Sequence, residues 1–109
     1  MYNNIHFVYI TFPNKEEARR IGAKLVEDRL AACVNIFDSM ESIYRWEGKI
    51  ESDNETVMIA KTHKSKVKAL TKYVVSNHSY DCPCVISLPV AEEEGNSAYI
   101  KWLIQESKY

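Results

Sequence analysis

Residues 42–49 read Ser-Ile-Tyr-Arg-Trp-Glu-Gly-Lys, and they decide the fold. The triplet Glu-Gly-Lys at 47–49 is the only turn signal between Leu30 and Lys61, and strand-like sequence flanks it on both sides. This pattern predicts a β-hairpin whose first arm begins near Leu30 and whose second arm runs from Ile50 to Lys61. Each arm exceeds the usual strand length of about 5–6 residues.

The length of the hairpin predicts that it contacts another subunit. The first arm runs on from Leu30 to Trp46, and we expect a bulge in it near Asp38 and Ser39. A small core cannot cover two arms of this length, and a long exposed edge invites aggregation. We therefore expect the hairpin to pair with another subunit. Tyr44 and Trp46 are the predicted interface residues, because aromatic side chains are enriched in interface cores.

Upstream of the hairpin, the sequence predicts a strand and a helix. Residues 5–12 are almost wholly apolar, which is typical of a central strand buried on both faces. Pro13 ends this strand. Asn14 can cap a helix, and Glu17 stands three residues later, where a capping box has a glutamate.

Downstream of the hairpin, we expect a helix at 62–76, a strand at 85–90 and a last helix that Asn96 caps. Pro89 belongs at a strand end or on a sheet edge, because it cannot donate a ladder hydrogen bond. The element order is β-α-β-β-α-β with a trailing helix. This is the α+β, ferredoxin-like arrangement, with an antiparallel four-stranded sheet and two helices on one face. The fold hosts many functions and selects none of them.

Composition narrows the class of protein. The 109 residues suit one domain, 1–109, and the net charge of −1 predicts no nucleic-acid partner. No run approaches the roughly 20 apolar residues of a membrane span, so no membrane association is expected. An odd count of three cysteines argues against a disulfide scaffold and fits a reducing compartment. Because no basic leader precedes the first strand, the expected location is cytoplasmic.

Candidate metal ligands cluster in residues 77–86, which read Asn-His-Ser-Tyr-Asp-Cys-Pro-Cys-Val-Ile. Cys82 and Cys84 fall on one face of an extended segment, and His78 lies four residues before Cys82. Thiols with an imidazole suit Cu(I) or zinc better than magnesium or calcium. His78, Cys82 and Cys84 are therefore the predicted metal site. The alternative is a turn that ends a helix and carries two partly buried thiols, because the two-pair spacing of a structural zinc site is missing.

Catalysis is not predicted. Cys82 or Cys84 with His78 and Asp81 supplies a nucleophile, a base and an orienting acid. The sequence has no glycine-rich oxyanion loop and no phosphate-binding fingerprint. We expect a binding protein that is not an enzyme. A cysteine-dependent enzyme is the third hypothesis, behind two kinds of binding protein.

Five segments together resemble the CutA family of divalent-ion tolerance proteins. They are residues 30–35, 42–49, 61–62, 78–83 and 99–102, in the order and spacing of that family. The resemblance implies a ferredoxin-like subunit that forms a homotrimer through the hairpin and the C-terminal segment. It also implies a role in tolerance of copper or another divalent cation, with no enzymatic mechanism.

The resemblance leaves two alternatives for function. PII-type signalling proteins share the trimeric architecture, so the second hypothesis is a small-molecule-sensing or scaffold trimer without metal chemistry. Copper ligands proposed for some family members are a cysteine at the end of the first strand and two adjacent histidines. The corresponding residues here are Ile10 and Asn77-His78, so only His78 carries over. Cys84 replaces the acidic residue usual in the family, which moves the predicted binding to the thiols.

Overall fold

The computed structural model describes residues 4–108, which form one mixed sheet-and-helix unit. The elements in chain order are β1 (Ile5–Phe12), α1 (Lys15–Glu27), β2 (Cys33–Trp46), β3 (Lys49–His63), α2 (Val67–Asn77), β4 (Val85–Pro89) and α3 (Ser97–Lys108). Single 3₁₀ turns precede α2, at residues 64–66, and α3, at residues 92–94. The predicted element order is confirmed.

The four strands form one sheet in the order β2-β3-β1-β4, and each neighbouring pair is antiparallel. The prediction of an α+β fold with a four-stranded antiparallel sheet is therefore confirmed. Strand β1 lies between β3 and β4, which explains its almost wholly apolar sequence. Pro89 is the last residue of the edge strand β4, where the lack of an N–H group costs no ladder hydrogen bond.

The main core lies between the sheet and helices α1 and α2. Apolar residues at every third or fourth position form one stripe on each helix. These stripes pack against the side chains of β1 and β3 that point towards the helices. The fully buried members include Val8, Ile10, Phe12, Ile21, Leu25, Met58, Leu70 and Val74. Helix α3 packs on the other face, where the hydroxyl of Tyr99 lies 3.2 Å from Lys61 Nζ. The chain thus covers both faces of one half of the sheet.

Two predicted boundaries are wrong. Helix α2 begins at Val67 and not at residue 62, because Thr62 and His63 continue β3 opposite His6 and Ile5 of β1. Thr62 is fully buried, and its hydroxyl donates to the backbone oxygen of Leu30 at 2.7 Å. Tertiary pairing therefore overrides the local pattern at this junction.

The first hairpin arm also starts later than predicted. Strand β2 begins at Cys33, because residues 28–31 form a turn that closes the end of α1. Arg29 has a φ of 57°, and the amides of Leu30 and Ala31 both donate to the backbone oxygen of Leu25. These hydrogen bonds satisfy a carbonyl at the helix end, so the chain needs this extra turn before it enters the sheet.

The long hairpin matches its prediction closely. Strands β2 and β3 pair from Cys33–Lys61 to Trp46–Lys49, with one irregularity between Phe37 and Met40 at the expected bulge. At the tip, Glu47 and Gly48 both have positive φ angles, 50° and 80°, as in the two-residue turns that suit the twist of a hairpin. The molecule measures 45 × 27 × 22 Å, and side chains on both faces of the hairpin tip are exposed. The tip therefore extends past the helical layer.

Candidate functional site

The candidate site is built around His78, the first residue after α2. His78 takes an extended backbone conformation, φ −78° and ψ 146°, which ends the helix and turns the chain back towards the sheet. Its imidazole lies between the rings of Phe12 and Tyr80, each with its centroid 4.8 Å away. None of the His78 side chain is exposed. This histidine is part of the packed structure.

Both ring nitrogens of His78 have backbone partners. Nε2 lies 2.7 Å from the backbone oxygen of Thr11, and Nδ1 lies 3.0 Å from the backbone nitrogen of Tyr80. A carbonyl oxygen can only accept and an amide N–H can only donate, so Nε2 carries the proton and Nδ1 accepts. A metal ion could bind either nitrogen only after one of these hydrogen bonds is lost.

Glu17 joins α1 to the turn that follows His78. Its Oε2 accepts from the backbone N–H of Ser79 at 2.9 Å and from the Ser79 hydroxyl at 3.1 Å. The same oxygen lies 3.4 Å from Nδ1 of His78, and the Glu17 side chain is only 10% exposed. The spacing of Glu17 from Asn14 predicts a capping box. The structure confirms that Asn14 caps α1, since its Oδ1 accepts from the Glu17 N–H at 2.8 Å, but the Glu17 carboxylate binds the 78–80 turn.

Tyr80 connects the turn to the root of the hairpin. Its hydroxyl donates to one carboxylate oxygen of Glu55 at 3.3 Å, and the Ser42 hydroxyl donates to the other at 2.7 Å. Partial burial and the Glu55 charge raise the pKa of Tyr80, so the phenol stays protonated and able to donate. The sequence does not predict these contacts of Glu17, Glu55 and Tyr80, because they join segments that are distant in the chain.

The two predicted thiols differ in environment. Cys82 is exposed, whereas Cys84 is half-buried. Burial raises the pKa of the Cys84 thiol, the nearby Glu55 charge adds to this, and a hydrogen bond with the Thr11 side chain opposes it. The thiolate is the reactive and metal-binding form, so Cys84 is the less reactive thiol at neutral pH.

The predicted ligands are not assembled as a three-residue metal site. Within residues 4–108, no three or more histidine, cysteine, aspartate or glutamate side chains are grouped so that they could hold a metal ion. His78 is buried and hydrogen-bonded at both nitrogens, while Cys82 is exposed. The set of His78, Cys82 and Cys84 therefore does not fit a bound ion in this conformation, and metal binding by these residues stays a prediction.

The predicted interface residues lie together near the hairpin tip. Tyr44 and Trp46 point to the same face of the hairpin, with 39% and 62% of each residue exposed. A hydrogen bond from the Tyr44 hydroxyl to the Asp53 carboxylate raises the pKa of Tyr44 to about 12. Their role in an interface stays a prediction. In the part of the chain that the structure describes, no helix is both long and apolar enough to span a membrane.

Comparison with known proteins identifies the family. The family model described as "CutA1 divalent ion tolerance protein" matches residues 6–106. The chain is 48% identical over 96 residues to "Protein CutA 1, chloroplastic" of Oryza sativa, with 88% of this chain and 53% of that protein aligned. It is 44% identical over 98 residues to "Divalent-cation tolerance protein CutA" of Archaeoglobus fulgidus, with 90% of this chain and 93% of that protein aligned. The chain thus spans about half the length of the plant relative.

Solved structures agree with this match. The crystal structure of CutA1 from Oryza sativa superposes with a TM-score of 0.89 at 42% identity, and 97% of each chain is covered. The divalent cation tolerance protein of Thermus thermophilus gives 0.89 at 42% identity, with 94% of this chain and 98% of that chain covered. Because the family model and these relatives cover most of the chain, this protein belongs to the CutA1 divalent ion tolerance family.

Proposed function

We propose that this chain is the subunit of a homotrimer that acts in divalent-metal homeostasis as a binding protein and not as an enzyme. The observation that carries this proposal is the match of residues 6–106 to the divalent ion tolerance family. The relative from Archaeoglobus fulgidus carries the name of a divalent-cation tolerance protein, and 93% of its length is aligned. Three free thiols suit a reducing compartment, which supports a cytoplasmic location.

The hairpin supports the trimer. Ile43, Trp46 and Ile50 near its tip are 68%, 62% and 64% exposed, and they lie on both faces of the two-stranded ribbon. An isolated two-stranded ribbon is only marginally stable in water. Large exposed apolar side chains that lie close together mark interaction sites. Two neighbouring copies of the chain would cover both faces.

Copper is the metal that the donor chemistry favours. Cys82 and Cys84 are free thiols two residues apart, and soft thiolates select Cu(I). The imidazole of His78 keeps its place in the packed turn, where it holds Thr11 and Tyr80. We therefore propose that Cys82 and Cys84 bind Cu(I). His78 is not a ligand in this proposal but maintains the conformation of the turn that carries the two thiols.

The test combines mass and metal affinity on the reduced protein. Light scattering should give about three times the subunit mass of 12.6 kDa across dilution to low micromolar concentration. Trp46→Ala should shift the mass towards the monomer on dilution, whereas Lys68→Ala, at an exposed helix position, should not. A monomeric wild type would reject the trimer.

For the metal, reduced protein competes with a Cu(I) chelator of known affinity. Cys82→Ser with Cys84→Ser should abolish stoichiometric binding, and affinity should rise with pH because thiols deprotonate on binding. Cys33→Ser is the matched control and should retain binding. Equal copper retention by the double variant and the wild type would show that the two thiols are structural.

A further inference from the structure

A lysine and three aromatic side chains meet where helix α3 packs on the sheet. Phe7 of β1 and Lys61 of β3 are directly paired, so their side chains point to the same face. The Nζ of Lys61 lies 5.5 Å from the ring centroid of Phe7 and 5.5 Å from that of Tyr99. Tyr99 is stacked on Trp102, three residues later in α3, with the ring centroids 5.7 Å apart. We call these four residues the lysine–aromatic cluster.

The ammonium group of Lys61 has no anionic partner in its own chain. None of the ion pairs within residues 4–108 involves Lys61, and its hydrogen bond goes to the Tyr99 hydroxyl at 3.2 Å. The residue is half-buried, so the aromatic rings replace part of the water around the charge. Ring faces attract a cation but do not neutralise it. A partly desolvated ammonium without a counter-ion is a binding group for an anion.

Tyr99 supplies a second donor beside the ammonium. An ammonium group can only donate, so the Tyr99 oxygen accepts in the 3.2 Å hydrogen bond. The phenolic proton is then left to donate, and no acceptor for it lies within residues 4–108. An N–H and an O–H donor therefore stand side by side. A carboxylate has two acceptor oxygens and can accept from both donors at once, in hydrogen bonds that its charge strengthens.

An accessible aromatic surface borders the two donors. Tyr99 and Trp102 are 41% and 44% exposed, and Leu88, which is directly paired with Phe7, is 51% exposed. Large apolar side chains that are exposed close together mark binding sites. A flat aromatic ring can stack on Trp102 in an offset or tilted arrangement while an attached anionic group reaches the donors. The single unpaired cation suits one negative charge better than a phosphate group, which carries about two.

We propose that the lysine–aromatic cluster binds a small aromatic carboxylate. The carboxylate accepts from Lys61 and Tyr99, and the aromatic ring of the ligand stacks on Trp102. The site uses neither of the proposed copper ligands, Cys82 and Cys84, so the inference goes beyond the proposed function. A neighbouring copy that covered the cluster would exclude the ligand, and the experiment therefore uses the full chain in its native assembly.

Isothermal titration calorimetry at physiological ionic strength tests the site, with indole-3-acetate as the probe. The wild type should bind one molecule per subunit in a saturable manner. Acetate lacks the ring and tryptamine replaces the carboxylate by a cation, so each should bind at least about tenfold more weakly. Lys61→Met keeps the apolar stem and removes the charge, and Tyr99→Phe keeps the ring and removes the proton. Both variants should weaken binding, Lys61→Met by about tenfold or more.

Lys101→Met is the matched control, because it removes an exposed lysine of the same helix, and it should bind like the wild type. Lys61→Arg keeps the positive charge and should retain more affinity than Lys61→Met. Light scattering and far-UV circular dichroism check the assembly and the fold of each variant.

Three results would overturn the inference. The first is a wild type that shows no saturable binding of indole-3-acetate, as when a neighbouring copy covers the cluster. The second is equal affinity of Lys61→Met and Lys101→Met, or of Lys61→Arg and Lys61→Met. The third is tighter binding of adenosine monophosphate than of indole-3-acetate, which would assign a phosphate ligand. Cys82→Ser with Cys84→Ser should bind indole-3-acetate like the wild type, so a failure of the copper proposal leaves this test unaffected.

Discussion

Glu17→Ala tests the link between α1 and the turn after His78. The change removes an acceptor that binds the Ser79 N–H at 2.9 Å and its hydroxyl at 3.1 Å. Hydrogen bonds to charged groups contribute about 1.5–3 kcal/mol each. Ser79 is exposed, so water replaces much of the loss at its hydroxyl and part of the loss at its amide. We therefore expect the free energy of unfolding to fall by about 2 kcal/mol.

Glu16→Ala is the matched control. Both glutamates lie in the first turn of α1 and favour its helix dipole, an effect of about 0.3–1 kcal/mol, but Glu16 is exposed. Urea denaturation at one fixed protein concentration measures both variants, because assembly makes stability depend on concentration. Amide exchange at Ser79 and Tyr80 should also accelerate in Glu17→Ala alone. Equal losses of stability in the two variants, with unchanged exchange, would refute the link.

Three further predictions follow from named residues. Gly48→Val should lower the free energy of unfolding by about 1–2 kcal/mol in a denaturant titration, because its φ of 80° strains any residue with a Cβ atom; a neutral result would contradict the turn geometry. Deprotonation of Tyr44 should begin well above pH 10, because its folded pKa is about 12, so its hydrogen bond to Asp53 stabilises the fold fully below pH 10 and is lost as the pH rises through 12. Difference absorbance against Tyr44→Phe measures this titration, and a midpoint near 10 would count against the hydrogen bond. Iodoacetamide at neutral pH should label the exposed Cys82 before the half-buried Cys84, whose pKa is raised; mass spectrometry of partly labelled protein shows the order, and the reverse order would contradict it.

Features with a local physical cause could be predicted from the sequence. Gly48 marks the turn because only glycine tolerates its φ easily, and Asn14 marks a helix start because its side chain replaces a missing backbone acceptor. The bulge lies where it was predicted, near Asp38 and Ser39, where two polar residues interrupt the strand-like sequence. Each of these inferences uses residues within a few positions of the feature.

Contacts between distant segments could not be predicted from the sequence. Glu17 has the spacing of a capping box, yet its carboxylate binds a turn 62 residues away. His78 has the chemistry of a metal ligand, yet the chain buries it against Phe12 and uses both nitrogens in hydrogen bonds. Thr62 has a place in a helical pattern, yet it pairs with β1. A local pattern cannot report which distant partner competes for a side chain.

The bulge in β2 determines which residues of that strand share a face of the hairpin. Between Phe37 and Met40 strand β2 advances three residues, while β3 advances two from Glu55 to Val57, so the alternation of side chains shifts by one position. Deleting Ser39 would restore a regular ladder, because Met40 would then follow Phe37 by two residues and stay opposite Glu55. Residues 40–46 would keep their faces and their partners on β3. The extra residue therefore allows Phe37 and Met40, which are three positions apart, to lie on one face of the hairpin.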